Sequence, residues 1–284
     1  MAISMKRISH IVIIALVFLF AHGFSLAYGA PIQSGETIKN IQAEGSCAII
    51  GMSAEQSQLT ALQRARATAI EQAAGVSVTS STLVTNFSVA ADFIKTYARG
   101  LIIKEKVIWL PMGQYQKDVS VPPIPEYRVR ITADIYVPTK TKTSVGLRAK
   151  LNNTVFRSGE KATFSIRTKK SARLAVFNIM ADDRVAMIFP NIHEPDNRIP
   201  ADRQIIFPTK DAEIELEVQT LPGHKRDAEA YLLIVWDSAT EIKIMELFPE
   251  TEPLGLIEFF GKVAEIADCV EDTILPYEVI ESIK

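Results

Sequence analysis

The stretch 190–203, PNIHEPDNRIPADR, concentrates the side chains of this sequence best suited to chemistry. His193, Glu194, Asp196 and Asp202 fall within ten residues, beside Asn191, Asn197 and Arg198. Imidazole nitrogens and carboxylate oxygens are the raw material of zinc and calcium sites. The spacing argues against both. An H-E-x-x-H zinc helix needs a second histidine one turn on, and position 197 is asparagine. Pro195 and Pro200 forbid a regular helix across the segment. The acids also lack the D-x-[DN]-x-[DN]-G order of a calcium loop. His224, in LPGHKRD, is the other histidine after residue 30 and could join only through the fold. The expectation is a rigid polar loop: Asn191, Asp196 and Asn197 suit side-chain-to-backbone turns, and Phe189, Ile206 and Phe207 would anchor its ends. No catalytic residue, metal ligand or cofactor is assigned. Asn191, His193, Glu194, Asp196, Asn197, Arg198 and His224 are kept as a candidate recognition surface, since rigid loops on a scaffold often bind.

Other chemistry is equally incomplete. Ser158-Gly159-Glu160 reads as a strand-to-strand turn with no nucleophile-elbow flank, and no phosphate-cradling G-x-x-x-x-G-K-[ST] occurs. Trp109 and Trp236 sit in apolar runs and read as core. Tyr115 and Tyr127 bracket QKDVSVPPIPE, a Pro-rich excursion that is either a docking arm or a long hairpin loop. Cys47 shares its alternation with Ile41, Ala43 and Ile49, so it reads as a small core residue; a disulfide from Cys47 to Cys269 is the alternative.

The surrounding elements divide into blocks. Lys6 and Arg7, the apolar run Ile11 to Phe20 and SLAYGA have the order of a cleaved signal peptide over 1–30, too short in its apolar part to span a bilayer. Without it, net charge moves from −2 to −4 with both signs well mixed, so nucleic acid is not an expected partner. Residues 31–138 read as an α+β domain. Within it, TIKNIQAEGSCAIIG alternates as a strand, Ser53 caps a helix that Gly75 ends, and a second helix covers SVAADFIKTYARG. PTKTKTS supplies a linker at 139–144.

Residues 145–250 change to period two. KATFSIRT and AEIELEVQ alternate, RLAVFNIM and RVAMIF flank a turn, and YLLIVW reads as a central strand buried on both faces. That is the pattern of an antiparallel β-sandwich. Residues 251–284 read as a C-terminal helical tail with Leu256, Phe259, Phe260, Val263 and Ile266 on an apolar stripe.

Two stretches resemble known families. Residues 43–137, through AEGSCAI, Arg64, Ala65, Ala67, Ala69, Gly75, SSTLVTN, Gly100 and YRVRITADIYV, resemble the N-terminal domain of flagellar assembly protein T and the small envelope lipoproteins that share it. The lipid-bearing cysteine of those lipoproteins is missing. Residues 145 to about 247 are similar to a bacterial domain of unknown function, often appended to sensor or kinase envelope proteins. This second likeness is carried by FRSGEKATFSIRTKKSARLAVFNIMADDRVAMIFPN, Asn197 to Pro200, FP at 207–208, and LPG at 221–223. The resemblances imply a structural or interaction part of the envelope. The expectation is therefore a non-enzymatic, periplasmic, exported protein that partners an envelope complex, with outer-membrane or peripheral membrane association and a flagellar-motor role as narrower versions. The alternative is a soluble ligand-binding module that uses the sandwich loops.

Overall fold

The computed structural model describes residues 35–75, 96–97, 99–138, 144–209, 212, 214–249 and 252–282. The expected signal segment over 1–30, the 76–86 stretch, most of the helix expected over 88–100 and all but Ser144 of the linker expected at 139–144 lie outside the described residues. The described residues form one compact unit.

The first block opens with β1 (Glu36–Ala48) and α1 (Ala54–Ala73). It continues with β2 (Leu101–Trp109), β3 (Gly113–Tyr115) and β4 (Ile124–Val137). These strands form one antiparallel sheet in the order β1-β4-β2, with β3 also on β4. Helix α1 starts where the sequence predicts. Ser53 accepts from the Gln56 N–H, and the Gln56 side chain accepts from the Ser53 N–H, which completes a capping box. It stops at Ala74, followed by Gly75 at φ 68°. Its buried stripe is made of small residues, Ala61, Ala65 and Ala69 with Ile70. Gly45 of β1 accepts this close approach: a Cβ there would lie 2.2 Å from the Ala61 carbonyl oxygen.

The second block is the sandwich. Its early strands are β5 (Arg148–Leu151), β6 (Val155–Arg157), β7 (Lys161–Ala162) and β8 (Phe164–Arg167). The hairpin β9 (Ala172–Ile179) and β10 (Arg184–Phe189) follows, then β11 (Arg198–Ile199), β12 (Ile205–Phe207), β13 (Leu216–Glu217) and the long β14 (Arg226–Asp237). A short α2 (Ile244–Leu247), β15 (Leu254–Gly255), α3 (Leu256–Ile266) and β16 (Glu271–Ile280) close the chain. A seven-stranded sheet in the order β15-β10-β9-β14-β16-β6, with β11 on β9, is faced by the small sheets β12-β8-β5 and β13-β7.

Strand β14 has the doubly buried character expected of YLLIVW. Tyr231, Leu233 and Val235 enter the core shared with the small sheets, among Phe164, Val176 and Tyr277. Ala230, Leu232, Ile234 and Trp236 face the opposite way, into a core shared with α3, α1 and the N-terminal sheet. Phe259 and Phe260 of α3 fill that second core, and Phe260 meets Tyr97 at a 4.1 Å ring separation. The C-terminal helix thus docks within its own chain.

Two expectations need correction. Residues 251–284 are not helical throughout: α3 ends at Ile266, and β16 pairs with β14 over ten residues, Arg226↔Ile280 to Val235↔Glu271. Pro276 cannot sit inside a helix, and it occupies a stretch of β16 that only β14 flanks, where no outward N–H is needed. The sandwich is antiparallel as expected, apart from one parallel pair, β16 with β6. Trp236 is fully buried, but Trp109 is 42% exposed at the end of β2.

Candidate functional site

The loop 190–204 is held from inside. Asn191, 9% exposed, accepts from the backbone N–H groups of His193 (2.9 Å) and Glu194 (2.8 Å) and donates to the Ile188 carbonyl. Asn197, 4% exposed, donates to the Leu174 carbonyl and accepts from Arg173. Both asparagines do the work of backbone, as the turn chemistry predicts. Asp196 and Arg198 form an exposed pair, and the Arg198 guanidinium holds the Asp196 carboxyl below its usual range. His193 is exposed. Among the described residues no group of three His, Cys, Asp or Glu side chains is placed to hold a metal.

The seven residues proposed as one recognition surface do not meet. Loop 190–204 is tied to the start of β9 through β11, at Ala172 and Arg173. His224 precedes β14, whose Ala230 lies opposite Ile179 at the far end of β9. The length of β9 at about 3.3 Å per residue puts roughly 23 Å between the two. Cys47 and Cys269 are likewise separated. Cys47 is buried opposite Tyr127, whereas Cys269 follows Asp268, which hydrogen-bonds Tyr136 at the other end of β4. The strand between them spans about 30 Å, far beyond bridging range. Both thiols are free, and burial pushes the Cys47 thiol above its ordinary value.

His224 belongs to a different site. The turn 221–224 closes through a His224 N–H to Leu221 carbonyl bond, with Gly223 at φ 80°. The His224 Nδ1 lies 2.6 Å from a carboxylate oxygen of buried Asp227, whose other oxygen accepts the Leu221 N–H at 2.6 Å. An acceptor carboxylate fixes the proton on Nδ1 and leaves Nε2 as the ring's free edge. His224 lines a cleft of about 620 Å³. One wall is the start of α1, with Glu55, Thr60 and Gln63, and the other is loop 221–228 and the β9–β10 turn at Ala181 and Asp182. Gln56 spans it, donating to the Arg226 carbonyl.

A buried polar network across β9, β14 and β16 was missed by sequence reading. Glu229 accepts from the Tyr277 hydroxyl (2.6 Å) and the Asn178 amide (3.3 Å). Burial pushes its carboxyl up, and those two hydrogen bonds only partly offset this. Tyr231 stacks on Tyr277 at 4.7 Å, and burial raises its hydroxyl to about 12.

A second buried cluster joins the two blocks. Arg66 of α1 is 4% exposed and makes a two-pronged bond to Glu105 of β2, through Nη2 at 2.5 Å and Nε at 2.9 Å. Its other Nη bonds Asp183 in the β9–β10 turn. Burial works against the guanidinium charge, but Asp183 and Glu105 outweigh it and hold the group above its ordinary value.

The Pro-rich excursion is a long hairpin loop between the paired strands β3 and β4, and it projects as an arm at the free end of the N-terminal sheet. Gln116 donates to the carbonyls of Val119 and Val121, and Ser120 donates to Asp118. Val119 is 94% exposed, and Met112, Val121, Trp109, Ile108 and Ile50 are exposed nearby on the same end of β4.

A search of curated proteins finds no match. Residues 155–228, from β6 to the first residues of β14 and including both sandwich loops, match the model of a domain of unknown function (DUF4384).

Proposed function

We propose that this chain is a non-catalytic, exported envelope protein that works by docking onto another envelope protein through the arm of its N-terminal sheet. One observation carries this reading. Six of the nine exposed large hydrophobic side chains among the described residues gather at that end: Ile50, Ile108, Trp109, Met112, Val119 and Val121. Scattered single exposures are ordinary, whereas a cluster marks a contact surface. Trp and Met are favoured at interface centres, and an arm pre-ordered by Gln116 and Asp118 loses little entropy on docking. The signal-like residues 1–30 and the likeness of 43–137 to the flagellar assembly T domain support a periplasmic site at an outer-membrane or motor assembly.

The test is a photo-reactive amino acid placed at Val119 in living cells, with a control at exposed Glu217 on the sandwich. One defined protein adduct from 119, absent from 217 and lost in Trp109→Ala, is expected, with the chain in the envelope fraction. A chain that stays in the soluble fraction with the same products from both positions would sink the docking reading. The ligand-binding reading has its own support in the cleft beside His224.

A further inference from the structure

We propose that the cleft between α1 and loop 221–228 binds a short zwitterionic peptide of two or three residues, held by its charged ends. This goes beyond docking by the arm and stands on separate residues.

The volume, about 620 Å³, lies within the range of small-molecule sites, and junctions between structural blocks are where such sites form. The charges are only partly sorted by wall: Glu55 is the acid at the start of α1, His224 and Lys225 come from the opposing loop, and Asp182 of the β9–β10 turn adds an acid on that second side. Arg226 is already paired with Glu278, and Asp227 with His224, so neither decides the ligand. The remaining set suits one molecule with an ammonium at one end and a carboxylate at the other. A free phosphate or sugar acid would meet Glu55 and Asp182 unfavourably, and a cation would meet Lys225.

The middle of the cleft suits a peptide backbone. Thr60 and Gln63 offer neutral hydrogen-bonding groups, and Met52, Leu59 and Leu221 offer apolar surface for a small side chain. His224 is pre-oriented: Asp227, nearly fully buried, holds Nδ1 and leaves the Nε2 edge as the ring's remaining polar group. Orientation fixed before binding saves ordering cost at that moment. Gln56, bonded to both Ser53 and Arg226, holds the two walls at a set spacing.

The experiment is calorimetric titration of the purified full chain with trialanine, N-acetyl-trialanine and trialanine amide. Trialanine should bind, and blocking either end should weaken binding by roughly tenfold or more, since each end loses a charged hydrogen bond. Two surface variants read the assignment separately. Lys225→Ala should weaken trialanine but leave the amide unchanged, and Glu55→Gln should weaken trialanine but leave the acetylated peptide unchanged. Both positions are exposed, so loss of folding does not confuse the result. Equal affinity for all three peptides, or no heat from any of them at millimolar concentration, would overturn the proposal.

Discussion

At the scale of single residues, this molecule uses its interior charges for architecture, and two of them give sharp tests. Glu229 is the first. Its carboxyl is pushed up by burial, so the folded chain holds that proton more tightly than the unfolded chain does. A raised acid contributes stability that is fully present below the unfolded value, about 4.3, and is lost as pH rises through the folded value. Glu229→Gln keeps an acceptor for Tyr277 and removes the charge. It should raise the melting temperature at pH 8 and leave it nearly unchanged at pH 4; equal shifts at both would show that the charge is not what burial penalises. Arg66 is the second. Arg66→Met strands Glu105 and Asp183 in a buried site, and breaking a buried pair costs about 3–5 kcal/mol. Urea titration should show that loss, and Arg66→Met combined with Glu105→Gln and Asp183→Asn should recover most of it. No recovery would mean that Arg66 acts through packing alone.

At the scale of elements, what the sequence made legible was whatever is settled within a few residues. The α1 boundaries follow from Ser53 and Gly75, and the β9–β10 hairpin from a four-residue turn, with Asp183 at φ 62°. Loop 190–204 was readable for the same reason, since Asn191 bonds the N–H groups two and three residues on. Distant partnerships were not readable. Arg66 meets acids 39 and 117 residues away, and nothing local announces them. The β16 strand was hidden because its partner β14 lies about forty residues back and a helical pattern runs directly into it. Trp109 misled because its neighbours are apolar on both sides, while the strand carries it past the end of the packed layer. Gly45 shows how tightly the helix layer seats on β1. In Gly45→Ala the new Cβ would press on the Ala61 carbonyl and the Ala65 nitrogen, both backbone, so α1 must shift. Overpacking of this kind costs about 1–3 kcal/mol. Chemical denaturation should register it, and a neutral outcome would mean that α1 slides freely on the sheet.

At the scale of the whole molecule, the α+β block and the sandwich share a core instead of sitting as two beads. The seven-stranded sheet buries one face against its small partner sheets and the other against α3, which also packs on the N-terminal sheet. Arg66, Gln56 and the Tyr136–Asp268 bond of 2.6 Å tie the blocks at further points. Shared burial of this kind couples unfolding, because neither block can open without exposing the apolar surface of the other. The two tryptophans report on the halves separately: Trp109 lies in the N-terminal sheet and Trp236 in β14. Fluorescence of Trp109→Phe and Trp236→Phe should therefore give urea transitions with one midpoint, matched by far-ultraviolet circular dichroism. Ending the chain after Ile266 should abolish that transition rather than trim a tail, since it removes Tyr277 and Val279 from the core and leaves β14 without the neighbour it pairs with over ten residues. Two separated midpoints in the full chain would mean that α3 and the buried ion cluster hold position without transmitting stability. In that case the N-terminal block could move independently of the cleft that it helps to wall.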